Sequence, residues 1–132
     1  MQKEIKKDFT EFYNSADRKD QNWTRYHEAI KKLGIFVKQR EENIKILGEE
    51  TFRRCEFMAL ERITECAKDP KENPLIRETA LKNLLFFHQR DFDGYLKELY
   101  KFIINNNNPE DNVSDIQSLA RKNLLLLEPN TQ

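Results

Sequence analysis

Residues 76–87, IRETALKNLLFF, align at an offset of 40 positions with residues 116–127, IQSLARKNLLLL. Six of the twelve positions are identical: Ile76 with Ile116, Ala80 with Ala120, Lys82 with Lys122, Asn83 with Asn123, Leu84 with Leu124 and Leu85 with Leu125. At the same offset the preceding stretch corresponds by pattern, Phe52 with Phe92, Ala59 with Leu99 and Ile63 with Ile103. The period therefore covers a pair of helices. A two-helix unit recurring near 40 residues is the signature of a helical solenoid. In such an array each second helix packs on its own partner and on neighbouring units, so it needs a broad apolar surface and not a single stripe. That need accounts for the unbroken apolar run at 84–87, and Ala80 and Ala120 allow helices to approach closely. The alternative is a non-repeating helical bundle whose fourth and sixth helices resemble each other because Leu, Lys and Asn are common.

Helical periodicity can be followed along most of the chain. Ile5, Phe9 and Phe12 mark one face of a short helix over 3–14, and the polar stretch 14–22 reads as a connector. Trp23, Tyr26, Ile30, Leu33, Val37, Ile44 and Leu47 keep an alternating three-and-four spacing whose one missing beat is Arg40. The seam holds its phase across Gly34, which predicts one helix from about 23 to 47, closed by Gly48. Phe52, Cys55, Ala59, Ile63 and Cys66 form the next stripe, ending near Asp69-Pro70. Asn73 is placed as an N-cap with Pro74 in the first turn. Phe92, Leu96, Leu99 and Ile103 predict a fifth helix, stopped by the asparagine run and proline at 105–109. Ser114 with Gln117 resembles a capping box opening a sixth, with Ile116, Ala120, Leu124 and Leu127 on its apolar face.

Composition fits this reading. With 132 residues, 38% hydrophobic and 35% charged, the chain has enough apolar side chains for one core. Three glycines and four prolines leave few turn signals for a sheet. The expectation is a single all-helical domain: an N-terminal helical hairpin over 1–48, then two repeats of about 40 residues over 49–128. The start, MQKEIKKDF, has no apolar signal core, and no apolar run reaches the roughly 18 residues of a membrane span. A cytoplasmic protein that does not meet a membrane is expected.

The second helix of the first pair resembles the HEAT-repeat family. That family commonly carries an aliphatic residue and Arg, then Ala three positions later, then Leu; here Ile76-Arg77, Ala80 and Leu84 stand in those places. Asn73 occupies the site where the pattern often has Asp. The later pair departs, with Gln117 in place of the Arg, which puts its polar ladder in doubt. The resemblance covers about residues 50–128 and implies a short α-solenoid; it says almost nothing about function.

Motifs for chemistry are missing. Cys55 and Cys66 lie about three helical turns apart, roughly 16 Å, beyond disulfide reach in one helix, and read as small core residues. His27 and His88 have no Cys or His three or four positions away, so no metal-ligand spacing is present. Three glycines build no phosphate loop. The acidic pairs lie in strongly polar surroundings that would not tune a catalytic carboxyl. No enzyme activity, metal or cofactor is expected.

The net charge is zero, 23 basic against 23 acidic residues, whereas a nucleic-acid domain is normally basic. Lys31, Lys32, Lys38, Arg40 and Lys45 could form a basic strip near Trp23 and Tyr26, so nucleic-acid binding is the alternative function. The favoured expectation is a protein-binding scaffold, adaptor or inhibitor, with a second copy of the chain as a further possible partner. Solenoids bind through the face made by one layer of helices. The candidate contacts are Arg77, Lys82, Asn83, Lys122 and Asn123, taken as exposed positions on the second helices.

Overall fold

A computed structural model of the chain describes residues 2–17, 23–106 and 114–128. Among these the protein is all-α, with seven helices and no strand: α1 (Gln2–Ser15), α2 (Trp23–Lys38), α3 (Arg40–Leu47), α4 (Glu49–Lys68), α5 (Pro74–Leu84), α6 (Asp93–Asn105) and α7 (Ser114–Leu127). A 3-10 turn, Leu85–Phe87, finishes α5. The connector at 18–22, the asparagine run beyond residue 106 and the Ser114 side chain lie outside the described residues. The chain divides into two compact units, Met1–Ile63 and Thr64–Gln132, the division falling inside α4.

In the first unit the expected long helix over 23–47 is two helices. The break falls at Gln39 (φ −87°, ψ 40°), and Gly34 sits buried within α2. A glycine lowers helix propensity but does not by itself end a helix. Two side chains favour the break. The Asn43 amide donates to the Phe36 carbonyl at 2.8 Å, satisfying an acceptor in the last turn of α2. Arg40, the missing beat of the seam, pairs with Glu56 on α4 at 2.9 Å and lies over the Phe52 ring at 5.4 Å. Phe9, Phe36 and Phe52 then pack in series, the first pair tilted at 4.7 Å between centroids and the second stacked at 5.3 Å.

In the second unit Asn73 accepts a hydrogen bond from the Leu75 amide at 2.8 Å, and Pro74 occupies the first turn, as the sequence predicts. Ile76, Ala80, Leu84 and Phe87 are all fully buried. Each large apolar side chain withdrawn from water contributes about 1.5–3 kcal/mol. α7 packs against both α6 and α5. Cys66 is buried, its thiol 3.8 Å from the Ile76 carbonyl; Cys55 is half-buried, and neither forms a disulfide.

Helix ends here are closed mostly by side chains from other helices. Gly48 closes α3 with φ +86°. Elsewhere Arg62 donates to Tyr13 O in the last turn of α1 (3.3 Å), and Arg77 to Ala67 O in that of α4 (3.0 Å). Gln117 donates to Ile104 O in the last turn of α6 (3.1 Å). With few glycines available, unpaired C-terminal carbonyls are met by long polar arms.

Candidate partner-binding surfaces

The five candidate residues separate into two groups. Arg77, Asn83 and Asn123 are not exposed: their accessibilities are 2%, 9% and 1%. The helical period explains why. At about 100° per residue, Asn83 falls within about 20° of Ile76, and Asn123 within about 20° of Ile116, on the faces that pack. Arg77 lies beside Leu84 on the same basis and turns its guanidinium to the Ala67 carbonyl. Asn123 donates its amide to Leu81 O at 2.9 Å, from α7 to α5. Arg77 and Asn123 bridge to neighbouring helices, and with Asn83 they are too buried to meet a partner. A sequence signal for this exists: Asn43, Asn83 and Asn123 recur at intervals of 40, and all three are buried. Gln117, where the HEAT-like pattern has Arg, makes the same kind of bond as Arg77 with a shorter arm.

Lys82 and Lys122 are exposed, and the fold brings them together. They line one cleft of about 270 Å³ between α5 and α7, with Glu78, Asp115, Ser118 and Leu119. Lys82 Nζ lies 2.9 Å from Glu78 Oε1, an exposed pair one turn apart. The cleft is polar and mixed in charge, with one apolar side chain at its wall.

Behind Asn123 runs a buried polar chain. The Tyr100 hydroxyl, fully buried, lies 2.7 Å from His88 Nε2 and is hydrogen-bonded by the Asn123 side chain. Burial pushes the phenol well above its ordinary range, with the Asn123 hydrogen bond opposing and Asp93 adding to the rise. Burial likewise holds the His88 imidazole below its usual 6.5, against Asp93, which raises it. With the amide donating to the phenolic oxygen, a neutral imidazole in the tautomer protonated at Nδ1 accepts the hydrogen bond of the phenol at Nε2.

A second surface lies on α6 and escapes the apolar-stripe reading. Tyr95 and Phe102 are 52% and 48% exposed, outside the stripe of Leu96, Leu99 and Ile103. They line a groove of about 500 Å³ with Lys68, Glu98, Leu99, Lys101 and Asn105. Two aromatics seven positions apart, both off the core face, are the signal that the sequence offers. The Tyr95 hydroxyl reaches Thr64 Oγ1 at 3.3 Å, and Lys101 stands between Glu98 (3.9 Å) and Glu128 (4.0 Å).

In the first unit a cavity of about 290 Å³ lies beside Phe9, Phe12, Phe36 and Asn43, with the Lys32 ammonium over the Phe12 ring at 5.2 Å. The basic strip is interrupted. Arg40 turns to Glu56, Lys31 pairs with Glu28 at 3.4 Å, and Tyr26 is buried; Trp23 is 45% exposed against the His27 ring. Burial, helped by Lys31, lowers the His27 pKa. Among the described residues no three His, Cys, Asp or Glu side chains are grouped to hold a metal ion. No helix there is long and apolar enough to cross a membrane. No protein-family model, curated protein or solved structure matches the chain.

Proposed function

We propose that this chain is a non-enzymatic protein-binding module, a short HEAT-like scaffold, adaptor or inhibitor, that grips a partner through the cleft between α5 and α7. The observation that carries this reading is the pairing of Lys82 and Lys122. They are 40 residues apart, equivalent in the internal repeat, and line one cleft. The second helix of each pair lies beside its counterpart, the arrangement by which stacked repeats present a ladder of equivalent side chains. Further support comes from Arg77 and Gln117, repeat-equivalent residues that each close the helix before their own. The mixture of Lys82, Lys122, Glu78 and Asp115 suits a polar segment of protein and disfavours a polyanion. Rim charges of this sort act mainly on association rate and on partner choice.

The test is affinity purification of the intact chain from its native cells beside the Lys82→Glu/Lys122→Glu variant, followed by quantitative mass spectrometry. A partner retained by the native chain and lost about tenfold or more with the double reversal is the expected result. A partner retained equally by both removes the cleft as the binding site. Circular dichroism of the variant should match that of the native chain, since both lysines are exposed.

A further inference from the structure

The cavity in the first unit carries charges that the fold leaves unused. Ile5, Phe9 and Phe12 of α1 and Ile35 and Phe36 of α2 line it, so its floor is apolar and largely aromatic. Two charged side chains share these faces. At about 100° per residue, Asp8 lies about 40° from Phe12. Lys32 falls between Ile35 and Phe36, about 60° and about 40° away. Both are exposed, and both line the cavity. Among the described residues Asp8 makes no ion pair, and Lys32 meets only the Phe12 ring, whose centroid is 5.2 Å from its ammonium. Asn43 adds an acceptor. It is only 7% exposed and lines the same cavity. Its amide nitrogen is committed to Phe36 O, and among the described residues nothing donates to its oxygen.

Unpaired charges of both signs beside an apolar floor select a ligand that carries both. A carboxylate alone would be opposed by Asp8, an amine alone by Lys32, and a neutral hydrocarbon would use neither. We propose that this cavity binds a free apolar α-amino acid. The Lys32 ammonium donates to its carboxylate, the Asp8 carboxylate and the Asn43 amide oxygen accept from its ammonium, and Phe9, Phe12 and Phe36 take its side chain. At about 290 Å³ the cavity stands at the lower end of the range for small-molecule sites, about 300 Å³ and above, which suits a molecule of this size. An aromatic side chain gains offset or edge contact with the rings in addition to burial. Both charges stand at a solvated rim, so binding is weak, in the range of about 0.1–1 mM. The cavity belongs to the first unit and the cleft of Lys82 and Lys122 to the second, so the inference stands whether or not that cleft binds a partner.

The test is a titration of the intact chain with L-phenylalanine, followed by NMR through the backbone amide shifts. Parallel titrations use hydrocinnamate, which lacks the ammonium, and phenethylamine, which lacks the carboxylate. Saturable shifts on the facing sides of α1 and α2 are expected with the amino acid, and binding of either analogue should be weaker by about threefold or more. Lys32→Gln and Asp8→Asn should each weaken L-phenylalanine by a similar factor, about threefold or more. The analogues separate the two contacts: Asp8→Asn should not weaken the acid, and Lys32→Gln should not weaken the amine. No saturable shift up to about 10 mM overturns the proposal. So does an analogue that binds as tightly as the amino acid, or an amino acid indifferent to either substitution. Circular dichroism of both variants should match that of the native chain, the substituted side chains being exposed.

Discussion

Buried amides and rings determine how single residues respond to solution conditions. The neutral His88 ring accepts from Tyr100, whose oxygen is already engaged by Asn123. Protonating His88 turns that acceptor into a donor and leaves the phenolic hydrogen, fully buried, without its acceptor. Because the folded pKa lies below 6.5, the unfolded chain binds more protons as pH falls through that value. Stability is therefore full above about pH 6.5 and declines as the pH drops toward the lower folded pKa. His27, lowered chiefly by burial, acts in the same direction. Urea melts from about pH 8 to about pH 5 should show the midpoint falling, and His88→Gln should flatten part of that fall, leaving the share due to His27. Gly48 makes a different case. An added Cβ there meets no atom within 4 Å, yet its φ of +86° and ψ of 156° belong to a region that side chains avoid. Gly48→Ala should cost about 1–3 kcal/mol through backbone strain alone, measured as a lowered denaturation midpoint with unchanged slope.

At the level of helices, what the sequence reveals is governed by range. The apolar beats of α5 and α7 were readable because Ile76, Ala80, Ile116 and Ala120 are spaced by local geometry, and all four are buried. The N-terminus of α5 was readable for the same reason: Asn73 and Pro74 act within one turn. The break between α2 and α3 was not, since it depends on Asn43 reaching back to Phe36 and Arg40 reaching across to Glu56. Arg77, Asn83 and Asn123 are polar, which suggests the surface, but their positions on the helical period place them on the packed faces. The acceptors known for Arg77 and Asn123 lie 10 and 42 residues away. The Arg40–Glu56 pair supplies a test at this scale. Glu56 is only 2% exposed while Arg40 keeps 24% of its side chain in water. Arg40→Met leaves a buried carboxylate short of its cation, and should cost up to about 3 kcal/mol, the lower end of the range for a broken buried pair. Replacing both, Arg40→Met with Glu56→Gln, should recover part of that loss in a double-mutant cycle of thermal melts.

For the molecule as a whole, each compact unit holds two of the side chains that close another helix. Asn43 and Arg62 act in the first unit, Arg77 and Gln117 in the second. Removing one leaves a carbonyl without its donor, so Arg77→Met should lower stability by about 1–3 kcal/mol and Gln117→Met by about 1 kcal/mol, read from denaturation midpoints. The larger effect belongs to Arg77 because it is buried and Gln117 is only partly so. A peptide carrying α7 alone lacks the surroundings that hold its fourteen residues, and segments so short are marginal helices in water. Rods whose tips are tied down by other rods have no loose thread from which to unravel. Such a chain should yield abruptly within each unit, the amides at the tied helix ends exchanging with solvent no faster than those in mid-helix.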